Sequence, residues 1–307
     1  MANALARFLG SARIRSVLNA AQKLLGLAAI VFLGIKLYHI GWPEILASLP
    51  REPAFYIAFA VIYLLAPLAE VLIYSSLWGI GLSALPTFLR KRIYNEIVID
   101  YSGEAYLFLW AQRNIPGTDV RTLSAIKDVN LLSGIASNAV TLALLVVFAL
   151  GGYASLLKGI DPDVLRGVSI AAGVAVTIML AVVLFGHRIL GVSRAQCYRI
   201  GGIHFVRMVL VLLLQTVMWG SALPDVPWSQ WVLLLTAQML LTRLPFIPNR
   251  DIVMMWLGVT LAPSIAAPQA HVASMFVAAG ALSLVTHACI FALTSFLQHR
   301  QPKVQPA

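Results

Sequence analysis

Long apolar runs separated by short polar stretches extend through most of the chain. A helix that crosses a bilayer needs about 20 mostly apolar residues, and several of the runs are of that length. The pattern therefore predicts an all-α polytopic membrane protein with about six full spans. The predicted spans cover residues 23–41, 54–80, 129–151, 168–185, 203–222 and 271–297.

Together the spans predict a single transmembrane domain over residues 23–298. Residues 1–22 are basic ahead of the first apolar run and predict a cytoplasmic or interfacial N-terminus, and residues 299–307 predict a cytoplasmic tail. The first run is long and lacks a convincing small-residue cleavage site. We therefore expect it to be retained as a span rather than removed as a signal peptide.

Two segments, residues 94–127 and 230–262, interrupt this pattern by mixing short apolar pieces with charges and prolines. We expect each to form a re-entrant or broken-helix hairpin. In the first segment Glu96, Asp100 and Glu104 recur every four residues, so they would share one face of a continuous helix. Two pairs of shorter, tilted spans would fit the same pattern.

The two interrupted segments share a short motif. Residues 115–120 read IPGTDV and residues 247–252 read IPNRDI, with Arg113 and Arg243 just upstream. Proline breaks a helix and leaves backbone groups that a bilayer cannot satisfy, so such a stretch must be buried in protein or line a wet cavity. Paired interruptions in two halves of a membrane protein indicate a transport site. The predicted hairpin and gating positions are Pro116, Gly117, Asp119, Pro245, Pro248 and Asp251.

The composition agrees with a membrane protein. Of the 307 residues, 60% are hydrophobic and 11% are charged, whereas a soluble domain carries about 25% charged residues. The 22 Lys and Arg exceed the 12 Asp and Glu and give a net charge of +10. In a membrane protein this excess indicates cytoplasmic loops and anionic headgroups. No basic stretch with interleaved aromatic residues suggests a nucleic-acid partner.

Basic clusters predict the topology, because they stay on the cytoplasmic side. Arg90, Lys91 and Arg92 follow the second predicted span, and a loop over residues 187–207 contains four arginines. Both termini are then cytoplasmic. The first hairpin would enter from the cytoplasm and the second from outside, which makes an inverted repeat suited to alternating access.

Charged groups near the two motifs are the candidates for binding. Each ionisable group at membrane depth costs at least about 2.5 kcal/mol, and the planar fork of arginine suits a phosphodiester. Helix ends at the hairpin tips would add N–H donors. The predicted substrate-binding residues are Arg113, Arg121, Arg243, Arg250 and Glu104. Alternatively, these Arg and Asp residues pair with one another and hold the hairpins together.

Other polar residues indicate structural roles. Glu70 lies inside the second span and is interpreted as a partner for a neighbouring helix. His271 and His287 are candidate interior partners in the last span, and Cys197 and Cys289 are expected to be free thiols. The histidines show no metal-ligand spacing, and the sequence contains no HExxH, GxSxG or P-loop pattern. We therefore expect no metal, no cofactor and no catalytic residue.

Gly103 followed by residues 115–121 (IPGTDVR), and a later element at residues 243–251 (RLPFIPNRD), resemble the membrane region of the lysylphosphatidylglycerol synthase/flippase family. The later element departs from that family, which usually has PGG followed by Gly and Glu. The resemblance implies a bacterial-type inner-membrane protein that moves an anionic or modified lipid between leaflets. The aminoacyl-transferase domain of some relatives has no counterpart here, so lipid synthesis is not implied.

The leading functional prediction is a lipid flippase or lipid-linked transporter whose arginines bind an anionic headgroup, with Asp119 and Asp251 as gating partners. One alternative is a non-transporting accessory subunit that binds lipid or a partner biosynthetic enzyme. Another is an intramembrane transferase, for which Glu104 or Asp119 would be the general base.

Overall fold

The computed structural model describes residues 41–97, 101–115, 119–151, 190–241, 250–265 and 267–300, with isolated positions in 35–39 and 166–180. The regular structure in these ranges is helical. The α-helices are α1 (Trp42–Ala47), α2 (Pro53–Trp78), α3 (Leu85–Ile97), α4 (Ser102–Asn114), α5 (Asp119–Leu150), α6 (Arg194–Ala222), α7 (Trp228–Leu241), α8 (Arg250–Leu261) and α9 (Gln269–Arg300). Short 3-10 turns precede α3 (Leu82–Ala84) and follow α8 (Ala262–Ile265).

Four of the helices, α2, α5, α6 and α9, are long and apolar enough to cross a membrane. Their apolar parts cover Pro53–Trp78, Thr122–Phe148, Arg194–Ala222 and Gln269–Phe296. By length and composition they coincide with four of the predicted spans. The other two, at residues 23–41 and 168–185, lie largely outside the described residues, as do the predicted N-terminal segment and most of the tail.

Local sequence explains where α2 starts and stops. Pro53 occupies the first helical position after an extended Glu52, where its missing N–H costs nothing. Gly79 ends the helix in the left-handed region with φ +69°, and its N–H donates to the carbonyl of Ser75 at 3.0 Å. Glycine adopts this conformation without the steric cost that a side chain would add.

Helix α6 begins at Arg194, earlier than the predicted span. Arg199 and Arg207 therefore lie within the helix, and the prediction that they belong to a cytoplasmic loop is wrong. Arginine is a good helix former. The helix can therefore extend beyond the apolar run into the part of the sequence that contains arginines. This correction places two arginines on an otherwise apolar helix surface.

The first interrupted segment folds as two short helices, α3 and α4, which pack directly against each other. Helix α3 ends at Ile97, α4 begins at Ser102, and Tyr101 has a φ of +69° immediately before α4. The prediction that Glu96, Asp100 and Glu104 share one continuous helical face is therefore wrong. Helix α3 begins at Leu85, ahead of the predicted segment, and the IPGTDV motif spans the end of α4 and the start of α5 in the sequence.

A glycine contact lets α3 and α4 approach closely. A Cβ added to Gly103 would lie 2.2 Å from the carbonyl oxygen of Lys91 and 2.8 Å from Oδ1 of Asn95. The N–H of Gly103 donates to that same Oδ1 at 2.7 Å. Any side chain at this position would push the two helices apart.

The second interrupted segment also gives two short helices in contact, α7 and α8, separated by residues 242–249, which lie outside the described ranges. Both repeated motifs lead into a helix. Asp119 is the first residue of α5, and Asp251 is the second residue of α8. An acidic residue in the first turn interacts favourably with the positive end of the helix dipole.

The chain divides into two compact units. Unit 1 comprises residues 1–51, 144–173 and 219–278 and contains α7 and α8. Unit 2 comprises residues 52–143, 174–218 and 279–307 and contains α2, α3 and α4.

Unit 2 has a continuous apolar core, in which the rings of Tyr74 and Phe88 stack with their centroids 5.4 Å apart. Its buried members are Val71, Ile73, Tyr74, Ala84, Phe88, Leu107, Ile126, Val129, Leu132 and Ile200. In unit 1, Trp219 is buried between Trp231 and Phe276, at centroid distances of 5.8 and 6.0 Å.

Candidate functional site

A lysine between two glutamates joins three helices of unit 2. The ammonium of Lys91 on α3 lies 2.5 Å from Oε1 of Glu70 on α2 and 3.2 Å from Oε1 of Glu104 on α4. The lysine side chain is only 3% exposed. Burial lowers the pKa of Lys91, but the charges of Glu70 and Glu104 outweigh that effect and hold the pKa above its usual value. The lysine is therefore charged and bridges the two carboxyl groups.

One carboxylate oxygen of the triad and two tyrosine hydroxyl groups on its helices have no hydrogen-bond partner among the described residues. These atoms are Oε2 of Glu104 and the hydroxyl oxygens of Tyr74 and Tyr106, and all three are buried. A buried polar atom without a partner costs about 1–3 kcal/mol. Such atoms are often found at sites where water, an ion or a substrate completes the bonding.

The three consecutive cations of α3 have different partners, and two of them reach other helices. Arg90 donates to the hydroxyl groups of Thr294 and Ser295 on α9, at 2.8 and 2.6 Å. Lys91 binds the two glutamates, and Arg92 donates to Glu96 at 2.7 Å. Arg90 and Lys91 are buried, so the run interpreted from the sequence as a cytoplasmic basic cluster connects helices of unit 2.

An open groove of about 510 Å³ lies between α2 and α6. From α2 it is lined at positions i, i+3, i+4 and i+7, which form one helix face. The same periodicity on α6 brings Arg199 and Arg207 onto an otherwise apolar wall. The lining residues are Leu65, Leu68, Ala69, Leu72, Tyr198, Arg199, Gly202, Ile203, Val206, Arg207 and Leu210.

Arg207 links this groove to the ion-paired triad. Its terminal nitrogen Nη2 donates to Oγ of Ser133 at 3.4 Å, and its Nε has no hydrogen-bond partner among the described residues. Its guanidinium lies in the opposing fields of Glu70 and Arg92. His204, one turn earlier on α6, is 3% exposed, and neither of its ring nitrogens has a partner in the described ranges.

A second polar cluster joins α2, α3 and α9. His287 lies between Tyr63, at 2.6 Å, and Glu96, at 2.7 Å. The prediction that His287 is an interior polar partner is confirmed, whereas His271 is exposed and that prediction is wrong for it. Glu70 is bonded to a neighbouring helix, as predicted.

Of the residues predicted to bind substrate, Glu104 is in the Lys91 triad, in line with the alternative that charged residues pair across the hairpin. Arg113 is exposed in the last turn of α4. Asp119 and Arg121 lie in the first turn of α5, and Arg250 and Asp251 begin α8, with side chains outside the description. The remaining predicted positions fall outside the described residues: Pro116, Gly117, Arg243, Pro245 and Pro248.

Sequence reasoning missed Lys91 and Arg207 as site residues. Lys91 was grouped with its neighbours as a surface cluster. A usable signal for Arg207 is its spacing from Arg199 and Ile203, which repeats every four residues along one helix face. Cys197 and Cys289 are free, as predicted. Within the described ranges, no group of three His, Cys, Asp or Glu side chains is arranged to hold a metal ion.

Comparison of the chain with protein-family models, curated proteins and solved structures gives no match.

Proposed function

We propose that unit 2 binds an anionic membrane lipid in the groove between α2 and α6, and that the protein moves this lipid between leaflets. The acyl chain lies against the leucine-rich wall and the phosphate binds Arg207, with Arg199 as a second cation. The observation that carries the proposal is an arginine with a free Nε donor, among the described residues, on an otherwise apolar wall of two membrane-length helices.

A charged arginine in this position has a high free-energy cost unless it binds an anion. A charged side chain on a membrane helix costs about 2.5–3.5 kcal/mol on insertion scales. A phosphodiester offsets this cost because the guanidinium donates in pairs to two phosphate oxygens. The apolar wall accepts an acyl chain at no such cost, so the two parts of the groove fit the two parts of a phospholipid.

The neighbouring triad supports the same assignment. Glu70 comes directly after the groove residue Ala69, and its carboxylate is held by Lys91. Glu70 is also an acidic group that interacts electrostatically with Arg207. In this proposal the lipid headgroup lies at the edge of unit 2, where it can leave again, as transport requires.

The repeated motif supports transport rather than binding alone. Two interrupted segments that each lead into a helix are typical of transporters with inverted repeats. The resemblance to the lysylphosphatidylglycerol synthase/flippase family supports a lipid as the cargo. In this proposal Arg113, Arg121, Arg243 and Arg250 belong to the rest of the transport path.

Reconstitution into liposomes with a fluorescent phosphatidylglycerol and a leaflet-selective quencher tests the proposal. We expect the wild type to exchange the probe between leaflets without changing it chemically. Arg207→Gln should reduce the rate, whereas Arg194→Gln, an exposed arginine on the same helix, should not. Chemical turnover of the lipid would favour the transferase, and binding without exchange would favour the accessory subunit.

A further inference from the structure

Three side chains from three helices of unit 2 form a continuous hydrogen-bonded chain. The hydroxyl of Tyr63 on α2 lies 2.6 Å from Nδ1 of His287 on α9. Nε2 of the same ring lies 2.7 Å from Oε2 of Glu96 on α3. Tyr63 and His287 are 2% and 3% exposed, whereas the Glu96 side chain is 37% exposed. The chain thus runs from an accessible carboxylate to a buried phenol.

The partners determine where the protons lie. Burial raises the pKa of Glu96, but its hydrogen bond to His287 and the charge of Arg92 outweigh that effect and leave the pKa below its usual value. An ionised carboxylate only accepts hydrogen bonds. Nε2 therefore carries the hydrogen and Nδ1 of the neutral ring accepts the hydroxyl hydrogen of Tyr63.

The surroundings of His287 favour uptake of a second proton. From α3 it faces the carboxylate of Glu96, which Arg92 holds at 2.7 Å through the other oxygen. From α2 it faces Tyr63, whose ring lies under the Arg92 guanidinium at 4.2 Å. On its own helix, Oγ of Ser283 is 3.4 Å from Nε2. The adjacent carboxylate stabilises an imidazolium, and the phenol oxygen can accept from it.

We infer that Glu96, His287 and Tyr63 form a proton-binding site that couples proton uptake to lipid transport. In the net change one proton from the aqueous phase ends on Nδ1 of His287 while Nε2 keeps its hydrogen, and the number of other bonds to hydrogen is unchanged. The ring then donates from both nitrogens, to Glu96 and to Tyr63. The hydroxyl of Tyr63 changes from donor to acceptor, and the site gains one positive charge.

The coupling rests on the proposed lipid groove. Tyr63 is two residues before Leu65, where the α2 wall of the groove begins. Its bond to His287 attaches this part of α2 to α9, and protonation reverses the direction of that bond. Arg92, which bonds the Glu96 carboxylate, also acts on the field at Arg207. A proton at His287 thus alters both the attachment of α2 and the charge near the groove.

Titration of the histidine ring tests the proton site directly. The full-length protein, labelled with ¹³C and ¹⁵N in histidine and held in lipid nanodiscs, is followed by NMR, with His287→Gln identifying the signal. We expect the Nε2–H tautomer at high pH and a second proton on the ring on acidification. A ring that stays neutral throughout the titration, or that shows the Nδ1–H tautomer, would overturn the assignment.

Glu96→Gln sharpens this test, since it removes the carboxylate charge and keeps the shape. Loss of an opposite charge at hydrogen-bond distance should shift the midpoint of the ring's NMR titration. His271→Gln, which changes an exposed histidine of the same helix, should leave the midpoint unchanged. An unchanged midpoint in Glu96→Gln would contradict the proton site.

Liposome measurements at different pH values test the coupling. Lipid exchange by the wild type and by His271→Gln should slow by up to about tenfold per pH unit above the midpoint, the limit for one proton, and His287→Gln should lose this dependence. Exchange that is fast but independent of pH would overturn the coupling and leave the lipid function standing. No exchange by the wild type at any pH would overturn both the lipid function and the coupling, while the NMR titration still decides the proton site.

Discussion

Two pairs of short helices, α3–α4 in unit 2 and α7–α8 in unit 1, are held together by different forces. The first pair is joined by Lys91, Glu104 and the close approach at Gly103. In the second pair, α7 contains no charged residue and packs through buried side chains such as Trp231 and Leu234. A Cβ at Gly258 on α8 would lie 2.3 Å from the Phe276 ring.

The difference shows which helix pair brings polar groups together into a candidate functional site. Apolar packing satisfies a helix without specifying partner groups, whereas each buried charge must find a partner on another helix. The polar pair therefore brings carboxylates, an ammonium group and guanidinium groups of α2, α3 and α4 together. Both the groove and the proton site of unit 2 contact this network, and the described part of α7 has no equivalent.

Lys91→Met should have the largest effect on stability, because it leaves the partly buried Glu70 and Glu104 without their cation. Breaking a buried ion pair by removing one partner costs about 3–5 kcal/mol. The measurement is denaturant unfolding in detergent, with Arg194→Met as the control, since Arg194 is exposed. Adding Glu70→Gln and Glu104→Gln should restore part of the loss. Equal losses for Lys91→Met and the control would contradict the polar account of α3–α4.

Trp231→Ala should destabilise unit 1 by about 3–5 kcal/mol through loss of buried apolar area and the cavity it leaves. Trp228, on the same helix and 65% exposed, gives the matched control, and Trp228→Ala should change little. Tryptophan fluorescence during thermal unfolding provides the readout. Salt should not alter the Trp231→Ala effect. If both variants lose the same stability, apolar packing does not hold α7–α8.

Gly103→Ala should separate α3 from α4 and cost about 1–3 kcal/mol, the range for overpacking a tight contact. Gly134→Ala serves as the control, since in the described part of the chain no neighbouring side chain or other helix lies within 4 Å of a Cβ at that helical position. That substitution should be neutral or slightly stabilising. Hydrogen exchange of α3 and α4 measures the difference, and equal protection in the two variants would refute the close contact.

Acid should weaken the α2–α3–α9 cluster by a smaller amount. Because the pKa of Glu96 is lowered in the folded protein, its bonds contribute stability that is fully present above about pH 4.3, the unperturbed value for Glu. That stability is lost as pH falls through the lowered value. The thermal midpoint of the wild type should exceed that of Glu96→Gln at pH 7, and the gap should close below about pH 4. A gap independent of pH would contradict this assignment.

The helical class and four spans could be predicted because apolar runs of membrane length leave little choice of structure. The role of Glu70 was also predictable, since a lone carboxylate in an apolar helix needs a partner. The site itself could not be predicted from the sequence. In the sequence alone, Arg90 and Lys91 resemble a solvent-exposed basic cluster. Only the fold shows that Arg90 contacts α9 and that Lys91 contacts α2 and α4.

The hairpin shows the same limit. The spacing of Glu96 and Glu104 fits one helix face, yet the left-handed Tyr101 between them sends the two carboxylates to different partners. Tyrosine rarely adopts left-handed backbone angles, so its presence in the sequence does not predict such a turn. Bonds between residues far apart in sequence, such as Tyr63 to His287, leave no periodic signal that sequence reasoning can read.

Photo-crosslinking tests the central claim about the groove most directly. A phosphatidylglycerol carrying a photoreactive acyl chain is incorporated into liposomes with the wild type, Arg207→Gln and Arg194→Gln, and adducts are mapped by mass spectrometry. The account predicts adducts on the groove faces of α2 and α6, near Leu68 and Leu210, that decrease in Arg207→Gln but not in Arg194→Gln. Adducts spread evenly over the apolar helices, or unchanged in Arg207→Gln, would contradict it.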